Sequence, residues 1–348
     1  MFKRILFIGL GGAGQRHLRL FKENSPKGTE LIAFRSTSKT PVLNPDFTIN
    51  TKKSLEELYG VKIYNNFDEA LNLMPDLVVI STPSSMHIQY AQLCAEKGIN
   101  IFVEKPLSNS HIGLKKLNKI ILKNKIFFQV GLQRRYHPQL KEIKKIIDGG
   151  AIGKISNATM TVASYIPFWH PYEDYKELYA CKKNLGGGVL LTEIHEFDLC
   201  IWYFGKPISV TCVGGTYSDV GLDVEDTAHI ILSYDGFSVQ VNLTFWQKHA
   251  ERSIFIGGKD GCVFWNQDDN LLKLKNYHLD SETVNEVQMT NDSMFNSQVK
   301  DVLNPIKSES KSSVNLIDSY LSISIVLAAK KSMSEKRTVN IDEIENNV

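Results

Sequence analysis

The sequence is short of the features that mark several large protein classes. Its 348 residues hold five cysteines (Cys94, Cys181, Cys200, Cys212 and Cys262), scattered and without a Cys-x-x-Cys pair. That argues against a disulfide-built scaffold or a thiolate metal centre, and predicts reduced structural thiols in a cytoplasmic protein with no metal site. No run approaches the roughly 20 apolar residues needed to cross a bilayer, so no membrane partner is expected. The apolar run after Met1-Phe2-Lys3-Arg4 is too short for a secretory signal and reads as a strand. Neither sign of charge dominates, the formal net charge being +2. There is no basic stripe with interleaved aromatics, so nucleic acid is not an expected partner. Basic clusters such as Lys141–Lys145 read as solvated helix faces. What is present, 43% hydrophobic and 22% charged residues, suits a soluble globular chain long enough for two domains.

The first half alternates strand and helix. Ile5-Leu6-Phe7-Ile8 is a continuous apolar run, as expected of a strand buried on both faces. Gly9-Leu10-Gly11-Gly12-Ala13-Gly14 follows at once, then a helical pattern through Phe21. Strand, G-x-G-x-x-G and helix in that order form the dinucleotide fingerprint. Gly9 permits the tight turn, Gly11 lets backbone approach a pyrophosphate, and Gly14 allows close helix–strand packing. The helix N-terminus directs free N–H groups at the phosphates. The other reading is a glycine-rich turn of some different α/β fold. Further strands are expected at Glu30–Phe34, Asp76–Ile80, Ile101–Val103 and Ile126–Val130, with a helix over Met86–Lys97 capped by Gly98. The pattern predicts a doubly wound parallel sheet over residues 1–130, with ligands at the carboxyl ends of its strands.

The end of the second strand bears on the cofactor. An NAD site usually places Asp or Glu there, whereas this chain reads Ala33-Phe34-Arg35-Ser36-Thr37-Ser38-Lys39. A cation with hydroxyls suits a 2′-phosphate, so Arg35 and Ser36 favour NADP, with NAD the alternative. A merely exposed basic loop would look the same.

By residue 106 the chain resembles the Gfo/Idh/MocA oxidoreductase family, the glucose–fructose oxidoreductase and inositol dehydrogenase type. The resemblance rests on five pieces in order: the glycine turn with Arg16-His17, Ser81-Thr82-Pro83 with His87, Val103-Glu104-Lys105-Pro106, Gln133-Arg134-Arg135-Tyr136, and Gly186-Gly187-Gly188 followed by His195. It implies a Rossmann domain followed by an α+β domain with a large open, mostly antiparallel sheet. It also implies a nicotinamide cofactor and redox chemistry at a sugar or cyclitol carbon. On the cofactor side it implicates Gly9, Gly11, Gly12, Ala13, Gly14, Thr82, Pro83, His87, Glu104, Lys105 and Gln133. On the substrate side it implicates Arg134, Tyr136, Tyr165, Trp169, His170, Thr192 and His195. Lys105 would touch both the nicotinamide ribose and the reacting oxygen, where an ammonium stabilises alkoxide charge. The resemblance also suggests a cis Lys105-Pro106 bond.

From about Lys154 the pattern becomes β-rich. Strands are expected at Ile155–Ala163, Ile208–Tyr217, Ala228–Tyr234, Phe237–Phe245, Ser253–Gly257 and Cys262–Trp265, with Asp235-Gly236 as a hairpin turn. A charged, serine-rich loop at Lys307–Ser313, a helix over Val314–Ser332 and a polar tail complete a 131–348 substrate and oligomerisation domain. One sheet face would cover a helix, leaving the other for a homodimer or homotetramer interface. The loop Pro167-Phe168-Trp169-His170-Pro171-Tyr172-Glu173-Asp174-Tyr175 reads equally as a sugar-binding lid or as an aromatic packing or dimer contact.

His195 poses the sharpest question, since it reads as a proton-transfer group or as a satisfied core histidine. In the family, Asp-x-x-x-His places an aspartate four residues earlier, but here that position is Leu191, or Thr192 if the segment is one residue shorter. Glu193 is two residues away, about 200° round an unbroken helix, and so faces elsewhere unless the first turn is not yet helical there. Thr192 and Asp198 can share the histidine's face. Asp198 would fix the imidazole tautomer or serve as a structural partner. The reading that results is an NAD(P)-dependent oxidoreductase acting on a sugar-type CH–OH group, with Lys105 and His195 catalytic. A non-catalytic nucleotide- or sugar-sensing regulator and an NAD-dependent glycosidase are the alternatives.

Overall fold

The computed structural model describes residues 2–37, 39–290, 292–304 and 316–345. Ser38, the expected 307–313 loop and the first two residues of the expected late helix lie outside these. The chain begins β1 (Arg4–Ile8), α1 (Gly12–Asn24), β2 (Glu30–Phe34), α2 (Leu55–Tyr59), β3 (Lys62–Tyr64), α3 (Phe67–Asn72), β4 (Leu77–Ile80), α4 (His87–Glu96), β5 (Asn100–Glu104), α5 (Leu114–Asn124) and β6 (Phe128–Gly131). All six strands are parallel, in the order β3-β2-β1-β4-β5-β6. The order reverses beside β1, which opens a crevice at the carboxyl ends of β1 and β4. Every residue of β4 is buried because helices cover both faces. The sequence reading missed β3, three residues of which none is fully buried.

The second half comprises α6 (Pro138–Asp148), β7 (Ile155–Tyr165), α7 (Val189–Thr192), α8 (His195–Phe204), β8 (Ser209–Gly215), β9 (Thr227–Tyr234), β10 (Phe237–Thr244), β11 (Trp246–Gly258), β12 (Gly261–Asn266), β13 (Leu271–Asn276), β14 (Ser281–Glu286), α9 (Ser293–Leu303), α10 (Leu316–Glu335), β15 (Val339–Asn340) and α11 (Ile341–Glu345). Nine strands form one sheet, β14-β13-β12-β11-β7-β10-β9-β8-β15, antiparallel except where β7 meets β10. Along β9 and β10 buried and exposed residues alternate, so one face meets the core and the other meets solvent. The expected polar tail instead carries β15 and α11, which seal the β8 edge. The part-buried β13 and the exposed β14 were also missed.

Two features position the site. A continuous apolar core runs from Ile8 and Val103 of the first sheet through Leu190 and Phe197 to Met160 and Val241 of the second. The glycine–histidine segment is two helices, because the chain leaves helical geometry at Glu193 (φ −95°, ψ 35°). That break overturns the expectation that Glu193 and His195 point apart.

Candidate active site

A cavity of about 950 Å³ runs from the carboxyl ends of β1, β2, β4 and β5 to the α7–α8 break. At one end lies the turn Gly9–Ala13. Gly9 has φ +89°, and a Cβ there would sit 2.9 Å from the Ser81 carbonyl oxygen. A Cβ on Gly14 would sit 2.2 Å from the Gly9 carbonyl oxygen, so α1 can only pack this closely on β1 without a side chain. Gly11 differs, since a Cβ there meets nothing within 4 Å, and as N-cap of α1 it makes no side-chain bond. Open space before an uncapped helix N-terminus fits a pyrophosphate. Arg35, Ser36, Thr37 and Lys39 line the adjoining wall at the end of β2, with no carboxylate among them. Arg35 is held there by a bond from Nη2 to the Thr40 carbonyl oxygen.

At the end of β5, Glu104 accepts from His17 Nε2 at 2.6 Å and from the Lys105 amide at 2.9 Å. Burial works to raise the Glu104 carboxyl, but His17 and Lys105 outweigh it and hold it below its ordinary value. The Lys105-Pro106 bond is cis. Lys105 Nζ donates to the Thr192 carbonyl oxygen at 2.7 Å. Burial works to neutralise this ammonium, but Tyr179, Glu193 and Glu104 outweigh it, so Lys105 stays charged.

His195 opens α8 at 4% exposure, with Gln133 Nε2 3.5 Å from its Nε2 and no partner at Nδ1. Burial first, then Lys105, Arg252 and Arg134, push its pKa well below the ordinary value, so the imidazole is neutral and able to accept a proton. Glu193 lines the same cavity and pairs with Arg252 Nη2 at 2.5 Å. Ser81, Thr82, Gln133, Arg134, Thr192 and His195 each carry a buried polar side-chain atom with no hydrogen-bond partner, and all six line this cavity. Orphans gathered round one void mark it as built for a polar ligand.

The aromatic loop closes the glycine end. Trp169 packs edge-on against Phe245, while His170 and Tyr172 stack on each other and on Phe47 of the loop after β2. Arg16 lies 4.7 Å over the same Phe47 ring. Tyr172 comes so near the turn that a Cβ on Gly12 would be 2.4 Å from its hydroxyl.

Residues 3–132 match the family described as "Oxidoreductase family, NAD-binding Rossmann fold", and residues 140–264 match the "GFO/IDH/MocA C-terminal domain". The chain belongs to the Gfo/Idh/MocA oxidoreductases. Myo-inositol 2-dehydrogenase of Thermotoga maritima is 24% identical over 98% of this chain and 99% of its own length. An uncharacterised oxidoreductase of Streptococcus pneumoniae is 26% identical over 74% of this chain but 66% of its own. Levoglucosan dehydrogenase, solved with NADH and levoglucosan, shares the fold at a TM-score of 0.81 and 18% identity, covering 97% of this chain and 99% of its own.

Within this Gfo/Idh/MocA chain the cavity gathers Gly9, Gly11, Gly12, Ala13, Arg35, Ser36, Thr82, Pro83, Glu104, Lys105, Gln133, Arg134, Trp169, His170, Thr192 and His195. Four expected site residues fall elsewhere. His87 is buried under the β4 loop, its ring nitrogens 2.7 and 2.8 Å from the Pro106 and Thr82 carbonyl oxygens, so it braces two loops from behind the cavity wall. The Tyr136 hydroxyl is engaged by Gln129 and Asp301 behind the site. Tyr165 packs against Phe168 and Trp246 at the far end of β7. Gly14 acts through packing alone. Asp198 does not orient His195 either; it receives Arg135 at 2.7 and 3.0 Å in a buried pair.

Arg16 and Tyr172, which fall in the glycine-turn and aromatic-loop motifs, line the cavity, as do Arg252 and Tyr179, to which the sequence analysis gave no role. Of those last two, only Arg252 left a readable signal. It alternates with Ile254 and Ile256 along β11, and all three are at most 9% exposed. A cation on the inward face of an apolar alternation needs a reason to be there.

Proposed function

We propose that this oxidoreductase carries hydride between nicotinamide C4 and a carbinol carbon of a sugar-type substrate, with NADP as preferred cofactor. One observation carries the reading: a charged lysine and a neutral histidine with an unpartnered Nδ1 flank one cavity that begins at a dinucleotide turn. When bound, the cofactor supplies or takes up the hydride. Lys105 lowers the pKa of the reacting hydroxyl and stabilises the oxyanion. His195 takes up or returns the hydroxyl proton. Thr192 holds Lys105 through its carbonyl, while Gln133 approaches the imidazole. The basic, carboxylate-free wall at Arg35 supports NADP over NAD. The inositol and levoglucosan dehydrogenases among its relatives support a polyhydroxylated substrate.

Absorbance at the reduced-nicotinamide band, followed against a panel of sugars and cyclitols with either cofactor, tests this. A cofactor that binds but is never reduced or oxidised would leave the sensing regulator as the reading. We further propose a cytoplasmic homodimer or homotetramer through the solvent face of the nine-stranded sheet, where Phe255 and Phe264 stand opposite each other in register, each 37% exposed. Sedimentation equilibrium would return a monomer if that is wrong.

A further inference from the structure

The cations around His195 are unequally partnered. Arg135 is neutralised by Asp198 and Asp318, and Arg252 by Glu193 at 2.5 Å with Glu196 at 3.4 Å. Arg134 has no carboxylate partner among the described residues. Its Nη1 donates to the neutral amide oxygen of Gln267 at 2.5 Å, and its Nε is buried with no partner. Arg134 is only partly exposed, its Nε is closed off from water, and Glu193 and Glu196 act on it without pairing with it, so part of the cost of holding its charge here is left standing. Burial first, then the neighbouring Arg252 charge, push its pKa down to about 9 against the pull of Glu196 and Glu193. An arriving anion would relieve both.

The position of Arg134 says which ligand would bring that anion. It follows Gln133, whose amide lies 3.5 Å from His195. Its charge is felt at the His195 imidazole. The glycine turn, Arg16 and Arg35 lie at the opposite end, where the cofactor's phosphates belong. The anion therefore belongs to the molecule that reacts at His195. The planar fork of the guanidinium, with Nη1 held by Gln267 and the Nε edge left unpaired, matches a carboxylate.

We propose that Arg134, backed by Arg252, is a carboxylate subsite, and that the substrate is a sugar acid or similar polyhydroxy acid. This rests on the hydride-transfer reading only for what happens after binding. The site itself is testable by binding alone.

Calorimetry on the cofactor-loaded enzyme with matched pairs, D-glucuronate against D-glucose, D-galacturonate against D-galactose and D-gluconate against D-sorbitol, tests it. At least one acid should bind about tenfold or more tightly than its neutral partner, as expected for a charge-assisted pair. Arg134→Gln should abolish that preference, Arg134→Lys should retain part of it, and added salt should weaken the acid selectively. No preference for any acid overturns the subsite, as does a preference that survives in folded Arg134→Gln. Should that variant not fold, Arg134→Lys and the salt dependence decide. Turnover of neutral sugars without acid preference overturns the subsite and leaves hydride transfer standing. Acid binding with no change in nicotinamide absorbance, from either redox state of the cofactor, does the reverse.

Discussion

Lys105 Nζ donates to the carbonyl oxygen of Thr192 at 2.7 Å, across 87 positions of sequence. The bond ties the carboxyl end of a parallel strand to the break between two helices of the second half. It places an ammonium within reach of whatever the His195 imidazole faces. A backbone acceptor holds the lysine without neutralising it, so the charge remains available to an oxyanion.

Replacing either group should separate chemistry from binding. In Lys105→Ala and His195→Ala, turnover should fall by about 10²–10⁴-fold, while cofactor affinity in a fluorescence titration stays near the parent value. Parent-level turnover in either variant would remove that residue from the mechanism.

Cofactor choice should follow Arg35. Arg35→Asp removes the cation facing a 2′-phosphate and supplies an acceptor for a ribose hydroxyl. The NADP preference in kcat/KM should drop by at least about tenfold, and NAD should gain. An unchanged ratio would mean that Arg35 is only part of an exposed basic wall.

The pH profile should carry the imprint of the cations. The His195 pKa is lowered by burial, then by Lys105, Arg252 and Arg134, so the acid limb of kcat/KM should lie below the ordinary histidine value of about 6.5. Arg134→Gln removes one repelling charge and should move that limb upward. The sign for stability is the same. The unfolded histidine protonates near its ordinary value and the folded one does not, so this contribution is present above that pH and is lost as pH falls below it. A limb at or above the ordinary value in the parent enzyme would contradict the neutral-base assignment.

Asp198 should matter for folding and not for catalysis. It is fully buried against Arg135, and Asp198→Ala breaks that buried pair and leaves the guanidinium to the part-exposed Asp318 alone. The expected loss is about 3–5 kcal/mol, measured by urea unfolding. A stable variant whose only defect was turnover would restore Asp198 as the partner of His195.

The glycines of one turn should fail in different ways. Gly14→Ala drives a Cβ into the Gly9 carbonyl oxygen and should prevent proper folding, whereas Gly11→Ala meets open space. Gly11→Ala should therefore keep its thermal midpoint while losing cofactor affinity. If both variants bound cofactor normally, the turn would not be the pyrophosphate site.

How far the molecule can be read from its sequence depends on which forces act locally. Continuous apolar runs such as Leu77–Ile80, a glycine turn with fixed steric demands, and the alternation along β9 and β10 are local consequences of burial and backbone geometry. They make the parallel sheet, the dinucleotide turn and most of the antiparallel sheet legible. β3, β13 and β14 were not, because strands that bury one residue or none carry weak apolar patterning and are held by their ladder partners. The partner of each polar side chain is a tertiary decision. Helical spacing allowed Asp198 to serve His195, but Arg135 lies nearer in space and neutralises it. The same spacing turned Glu193 away, until a two-residue break brought it into the cavity beside Arg252. Residue types and local geometry therefore determined that a lysine, a histidine and a dinucleotide turn exist here. Only the packing of one sheet's strand ends against the other half's broken helix decided that they share a cavity, and which arginine of that cavity was left without a carboxylate partner.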